Sequence, residues 1–447
     1  MLAILAFTMV ATFMTLIMTK RLSALVALIL VPTLFALGAG FSAGLGDMML
    51  DGVRELAPTG VMLIFGILYF GLMIDAGLFD PLIKVIVRIV HGDALRITIG
   101  TVVLALLVSL DGDGTTTYMI TTAALLPLYR HMKMDVRIMA CLIIMSGAVM
   151  NLLPWGGPTA RAATALNLDP REVFVGLIPA MVVTAGWVLI VAWIFGMRER
   201  KRLAELYKNG EKDMSGEAVV AEDAGDVKAR RPHLMWVNLV LTAVLMVCLI
   251  LGVLPLAILF MLGFAIALMI NYPSLQQQRE RIGAHAGNAL AVAGLVFAAG
   301  IFTGILSGTK MIDAMADTII ACVPPSMGPY MAPITALLSM PFTFLISNDA
   351  FYFGMLPILA KTGAEYGISA VDMAQASLVG QQIHLLSPLV PSTYLLATMA
   401  GIEFGEHQRF TLKWALGSCA VFLPACLLLG IFPLAVRTSA GPLLSLN

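Results

Sequence analysis

Apolar runs of roughly 17 to 25 residues recur along most of this 447-residue chain, each long enough to cross a hydrocarbon core as a helix. In lipid a backbone must satisfy its own amides, which leaves helices or closed barrels, and the short alternating segments of a barrel are absent. With 60% hydrophobic residues and only 12% charged, the bilayer is the solvent for this chain. The formal charge is zero and no basic stripe appears, which argues against nucleic acid as a partner.

Continuous spans are expected at 2–19, 22–40, 57–77 and 171–196, then at 235–252, 255–271, 287–308 and 411–435, with interrupted spans at 136–166 and 371–400. Shorter limbs lie at 95–110 and 117–129, and again at 328–345 and 350–360. At 1.5 Å per residue such limbs reach only about 16 to 27 Å, so re-entrant hairpins are expected there. The first apolar run has no basic leader and no cleavage site, and is expected to remain as a helix.

Basic residues should collect on the cytoplasmic side of short loops. An external N-terminus places Lys20 and Arg21, Lys84 and Arg88, 130–137, 198–231, Arg279 and Arg281, and Arg409 and Lys413 in the cytoplasm. The opposite loops carry Asp47, Asp51, Glu55, Asp169, Glu172, Glu365 and Asp372. Five crossings per half then invert the second half, leaving both termini outside. An internal repeat supports this division. GLMIDAGLFD (71–80) aligns with GILSGTKMID (304–313) and NLLPWGGPTARA (151–162) with HLLSPLVPSTYL (384–395), both at an offset of 233. The expected fold is an all-α polytopic membrane protein with two inverted-topology repeats, each with five transmembrane helices, one of them interrupted, and a re-entrant hairpin. Residues 1–197 form the first repeat with hairpin 95–129, 198–233 a flexible cytoplasmic linker, and 234–447 the second repeat with hairpin 328–360. Residues 79–91 read as an amphipathic interfacial arm.

The first hairpin tip carries Asp111 and Asp113 with Thr115, Thr116 and Thr117. Carboxylates at membrane depth need pairing, water or a metal, so they imply a cavity. Gly112 and Gly114 permit a tight reversal, and the second limb aims its N-terminus at a bound anion. The second tip repeats the theme with Ser347, Asn348 and Asp349. Pro154 and Pro158 break one span and Pro388 and Pro391 the other. There Asn151, Gly157, Thr159, Ser392 and Thr393 are candidate ligands for substrate oxygens. Arg161 suits a bidentate clamp on a carboxylate, or else pairs with Asp111 or Asp113. His384 is either a proton relay or a hydrogen-bonded structural residue. Asp75, Lys310 and Asp313 fall near span ends, where a surface role suffices, and the five cysteines lack metal-ligand spacing and read as packing thiols.

The tips and the Pro-Thr and Pro-Ser breaks resemble the ion-transporter superfamily that includes the divalent anion/sodium symporters, although the acidic first tip departs from the Ser-Asn-Thr pattern of that group and weakens the case for sodium. A closer resemblance, carried by MLAILAFTMVATFMTLIMTKRLSALVALILVP, SLDGDGTTTYMITTAALLPLYR, NLLPWGGPTARAA and SNDAFYFGMLPIL, is to the citrate-metal:proton symporter family. That resemblance implies an inner-membrane protein taking up citrate as a magnesium or calcium complex, driven by protons and without an organic cofactor, and the superfamily resemblance implies a homodimer. A hard dication favours carboxylate and carbonyl oxygens, which suits Asp111, Asp113 and Asp349 as metal or proton groups. Transport of free di- or tricarboxylates, gluconate-like acids or sodium/proton exchange would keep the fold. An intramembrane hydrolase lacks any HExxH, GxSxG or paired-aspartate signature, and a channel fits inverted halves less well.

Overall fold

The computed structural model describes residues 2–19, 21–89, 92–112, 114–208, 229–322, 324, 326–345, 348–387 and 390–436, and among these there is no strand. The first half runs through α1 (Leu2–Met18), α2 (Ala24–Gly38), α3 (Leu45–Asp75), α4 (Asp80–Ile89), α5 (Ala94–Val108), α6 (Gly114–His131), α7 (Val136–Met150), α8 (Gly157–Ala165) and α9 (Pro170–Lys208). The second runs through α10 (Met235–Leu251), α11 (Leu256–Asn271), α12 (Leu275–Gly308), α13 (Met311–Cys322), α14 (Met331–Leu345), α15 (Leu356–Ala364), α16 (Ala370–Ser377), α17 (Gln381–His384), α18 (Pro391–Ala400) and α19 (Phe404–Leu428). Boundaries of the two series share the offset of the sequence repeat. The starts of α1 and α10 (2 and 235) and the ends of α3 and α12 (75 and 308) are both 233 positions apart. Most of the linker, 209–228, lies outside the described residues, as do positions 90 and 91 of the expected arm, which the structure otherwise forms as α4.

Among the described residues, five helices, including α3, α12 and α19, are long and apolar enough to cross a membrane, and the shorter apolar helices include α2, α5, α7 and α11. Large apolar side chains such as Trp193, Trp236, Val240 and Ile190 are exposed on the outside, as a lipid-facing surface requires. Two expected spans are longer than hydropathy indicates. The span expected at 57–77 runs from Leu45, and that at 287–308 from Leu275. In the added part of α3 the charged residues Asp47, Asp51, Arg54 and Glu55 are exposed while Leu45, Gly52 and Leu56 are buried. Helical periodicity therefore continues where apolarity does not.

The scaffold centres on α3 and α12, which cross antiparallel along most of their length. Near one end Gly52 meets Gly300 and Gly304, so closely that a Cβ on Gly52 would lie 2.0 Å from the Gly300 carbonyl oxygen. Near the other end Asp75 accepts from Arg281 Nη1 (3.1 Å) and faces His285 Nε2 (2.8 Å). Small residues let membrane helices approach until their backbones touch, and dispersion then does the work that water would do in a soluble core. On the same scaffold Asn238 of α10 and Asn271 of α11 exchange two hydrogen bonds of 2.8 Å.

Charged loops that are distant in sequence gather at one end. Asp93 pairs with Arg200, Arg137 reaches Asp135 and Glu406, and Arg202 holds Glu199. The Arg200 guanidinium beside Asp93 holds its carboxyl below the usual carboxylate range. This end unites the 130–137, 198–202 and 404–413 segments. At the other end Arg171 donates to the Leu249 and Ile250 carbonyls (both 3.0 Å), fixing α9 to the end of α10.

Candidate functional site

The first expected hairpin is formed by α5 and α6 and the second by α14 and α15, while the first interrupted span is divided into α7 and α8 and the second into α16, α17 and α18. In the first hairpin a single 3₁₀ turn, Ser109–Asp111, leads into Gly112, whose φ of 76° lies in the left-handed region. A Cβ there would also come within 2.8 Å of the Trp155 ring, so glycine is required on both counts. Trp155 belongs to the break between α7 and α8, and its Nε1 donates to the Leu110 carbonyl at 2.9 Å. Its ring stacks on Phe70 (centroids 5.2 Å) and abuts Phe260 (5.1 Å), which ties the hairpin tip to α3 and α11. In the second half Ser387, from the corresponding break, donates to the Phe344 carbonyl at the end of α14 (2.7 Å).

The breaks are stitched alike. Thr159 donates across the gap to the Leu152 carbonyl (2.9 Å), and Thr393 donates to the Leu385 carbonyl. Both threonines are fully buried, and the structure places neither on the cavity wall. Their hydroxyls satisfy carbonyls at the broken helix ends, while the neighbouring Pro158 and Ser392 lie on the cavity wall.

That cavity has a volume of about 420 Å³, within the usual range for small-molecule sites. Four segments converge on it. Hairpin one supplies Ser109, Gly112, Gly114, Thr117 and Tyr118, and the first break supplies Asn151, Gly157, Pro158 and Arg161. Hairpin two supplies Asn348 and Asp349, and the second break His384, Leu385, Val390 and Ser392. Thr116 is not on the wall. Asp113, Ser347 and the side chains of Asp111 and Thr115 lie outside the described residues.

Among the described residues, Arg161 and Asp349 are the charged groups on the wall, and Arg161 Nε donates to Asp349 Oδ1 at 2.6 Å. The sequence offered Asp111 or Asp113 as that partner; Asp113 and the Asp111 side chain lie outside the described residues, and the described acid that meets the guanidinium comes from the other half of the chain. Gly157 makes room for it, since a Cβ there would stand 2.7 Å from Arg161 Nη1. Asn348 exchanges hydrogen bonds with Gln381 (3.1 and 3.4 Å), and Gln381 also donates to the Tyr352 hydroxyl (2.9 Å). His384 sets Nδ1 against the Thr343 carbonyl at 2.6 Å, which fixes its ring. The hydroxyls of Ser109 and Thr117 are buried on the wall without a hydrogen-bond partner among the described residues. Sequence reasoning left Ser109, Trp155 and Gln381 unassigned. The pair Gln381-Gln382 inside an apolar span was the available signal for the last of these.

Among its described residues the cavity thus offers one guanidinium, one carboxylate, hydroxyls without a partner and the N-termini of α6 and α8, a set suited to an anion that is partly neutralised. The sequence profile of the citrate transporter family (CitMHS) matches residues 1–380. This chain belongs to the citrate transporter family. As a member of that family it is a membrane transporter and not an enzyme. It is 57% identical to a citrate transporter of Bacillus subtilis (strain 168), over 96% of this chain and 99% of that one. It is 48% identical to the Mg(2+)/citrate complex secondary transporter of the same organism, over 98% and 100%. Among solved structures, the Alcanivorax borkumensis YdaH transporter, reported to have an unusual topology, matches with a TM-score of 0.55 at 15% identity, covering 90% of each chain. That likeness supports the all-helical transporter fold of this citrate transporter family member.

Proposed function

We propose that this protein carries citrate as a complex with a divalent cation, magnesium first and calcium as a further candidate, in symport with protons. The observation that carries the reading is the cavity, where described residues of both tips and both breaks meet around the Arg161–Asp349 pair. The relative named for the Mg(2+)/citrate complex supports the cargo. Asp349 is the only described carboxylate on the wall, and no cluster of three or more His, Cys, Asp or Glu occurs among the described residues. Citrate's own oxygens then supply some of the metal's ligands, and Asp349 with Asp111 and Asp113 of the first tip supplies the remainder or accepts the coupling proton.

In this reading Arg161 holds a free carboxylate in its planar fork, and the N-termini of α6 and α8 with Ser109 and Thr117 receive further substrate oxygens. Asn151, Asn348 and Ser392 line the same space, Asp349 faces the metal, and His384 serves as a proton carrier. The two series of helices form inverted repeats, a reading supported by the antiparallel crossing of the equivalent helices α3 and α12. Alternating access then moves the hairpin-bearing parts against this scaffold. The basic end gathers in the cytoplasm, which leaves both termini outside the inner membrane, and the protein works as a homodimer.

Uptake of labelled citrate into proteoliposomes tests the cargo. With magnesium present and the interior alkaline, uptake is expected to be saturable and to fall by about tenfold or more when the metal is chelated, because free citrate brings its full charge into a site with one cation. Uptake indifferent to both the metal and the proton gradient would instead assign the site to a free di- or tricarboxylate.

A further inference from the structure

The Arg161–Asp349 pair presents a difficulty for any anionic substrate. The guanidinium that should receive its carboxylate already holds a carboxylate, at 2.6 Å, with the two side chains only 24% and 17% exposed. The partners are 188 positions apart, one on α8 and the other at the tip of the second hairpin, so the contact also joins the two halves across the cavity. Asp349 precedes a single π-helical turn, Ala350–Met355, while its neighbour Asn348 is anchored through Gln381 to Tyr352. Asn348 is therefore held beside the cavity next to Asp349, whose carboxylate needs only a side-chain rotation to change partner.

Resting on the reading of the cavity as the citrate site, we infer that Asp349 is a built-in competitor that makes the transporter select metal-bound over free substrate. In the empty carrier Asp349 occupies the place of the substrate's carboxylate on Arg161. A free anion that takes Arg161 leaves Asp349 in the cavity without a counter-charge and next to a second anion. One ion pair is gained, one is lost, and a buried carboxylate is left unpaired, which is the costly outcome for such groups. A substrate that brings a dication changes the balance, because Asp349 exchanges the guanidinium for the metal while the substrate carboxylate takes the guanidinium. No charge is then left alone. Selectivity arises here from a penalty on the wrong ligand as much as from contacts to the right one. The same exchange replaces a direct link between the halves by one that runs through the cargo.

Binding to the purified full-length protein, measured by titration calorimetry with citrate in chelator and with citrate plus magnesium, tests the inference. The unsubstituted protein is expected to prefer the complex by on the order of a hundredfold. Asp349→Asn should bind free citrate about tenfold more tightly than the unsubstituted protein does, and should lose most of the metal preference. Asp349→Glu should keep that preference. If the Asn variant does not purify as a folded protein, Asp349→Ser carries the same expectations. A folded neutral variant that retains the original preference overturns the inference, and so does one that binds neither form. If the unsubstituted protein itself binds neither citrate nor its magnesium complex, the assignment of the cavity to citrate fails first.

Discussion

Gly52→Val is expected to prevent the protein from being recovered in folded, monodisperse form. The first added carbon alone would stand 2.0 Å from the Gly300 carbonyl oxygen, and backbone cannot rotate away as a side chain can. The nearest escape is separation of α3 from α12, which would also disturb the contact of Gly304 with the Met48 carbonyl and that of Gly308 with the Met48 side chain. Overpacking costs roughly 1–3 kcal/mol where side chains can shift, and the absence of that freedom here places the cost at or above the top of that range. Gly283→Val on the same α12 is the control, since nothing lies within 4 Å of a Cβ at that position. Size-exclusion profile and thermal unfolding in detergent read both variants. A folded Gly52→Val with the stability of the parent would show that the crossing does not bear on the fold.

Arg161→Gln is expected to keep the fold and lose transport. Glutamine still reaches into the cavity and still offers a donor, but it removes the only described cation on the wall and leaves Asp349 unpaired. Removing one partner of a desolvated charge pair costs roughly 2–5 kcal/mol, which corresponds to a loss of about 1.5 to 3.5 orders of magnitude in uptake efficiency. Arg161→Lys should recover only part of this, because an ammonium lacks the planar fork and its room beside Gly157 is shaped for a guanidinium. Initial uptake rates in proteoliposomes, normalised to reconstituted protein, give the measurement. Near-normal uptake by Arg161→Gln would remove the guanidinium from the substrate site.

Much of the fold was legible because the solvent dictates it. A span in lipid must be apolar and helical, so α2, α7 and α11 appear where hydropathy places them, and the prolines at 154 and 158 foretell the gap between α7 and α8. The first turns of α3 and α12 were missed because they extend past the apolar part of their spans, with Asp51, Glu55, Arg279 and Glu280 exposed, and there only periodicity signals a helix. At the site, polar residues in apolar surroundings were enough to find Arg161, Asn348, Asp349 and His384. What the chain could not disclose was which residues meet. The described partner of Arg161, Asp349, comes from the other half of the chain, 188 positions away. Thr159 and Thr393 carry hydroxyls at the expected places, but a broken helix exposes carbonyls of its own, and each threonine is engaged by one of them. Local sequence specifies a polar group, and only the crossing of the two halves determines whether it faces a carbonyl or the cavity.

Electron cryomicroscopy of the protein in nanodiscs saturated with magnesium citrate tests the central claim most directly. The account predicts ligand density between the tips of the two hairpins, with a substrate carboxylate on the Arg161 guanidinium and Asp349 turned from that guanidinium toward the cation. A bound complex elsewhere, with the cavity empty and the Arg161–Asp349 pair intact, would contradict it.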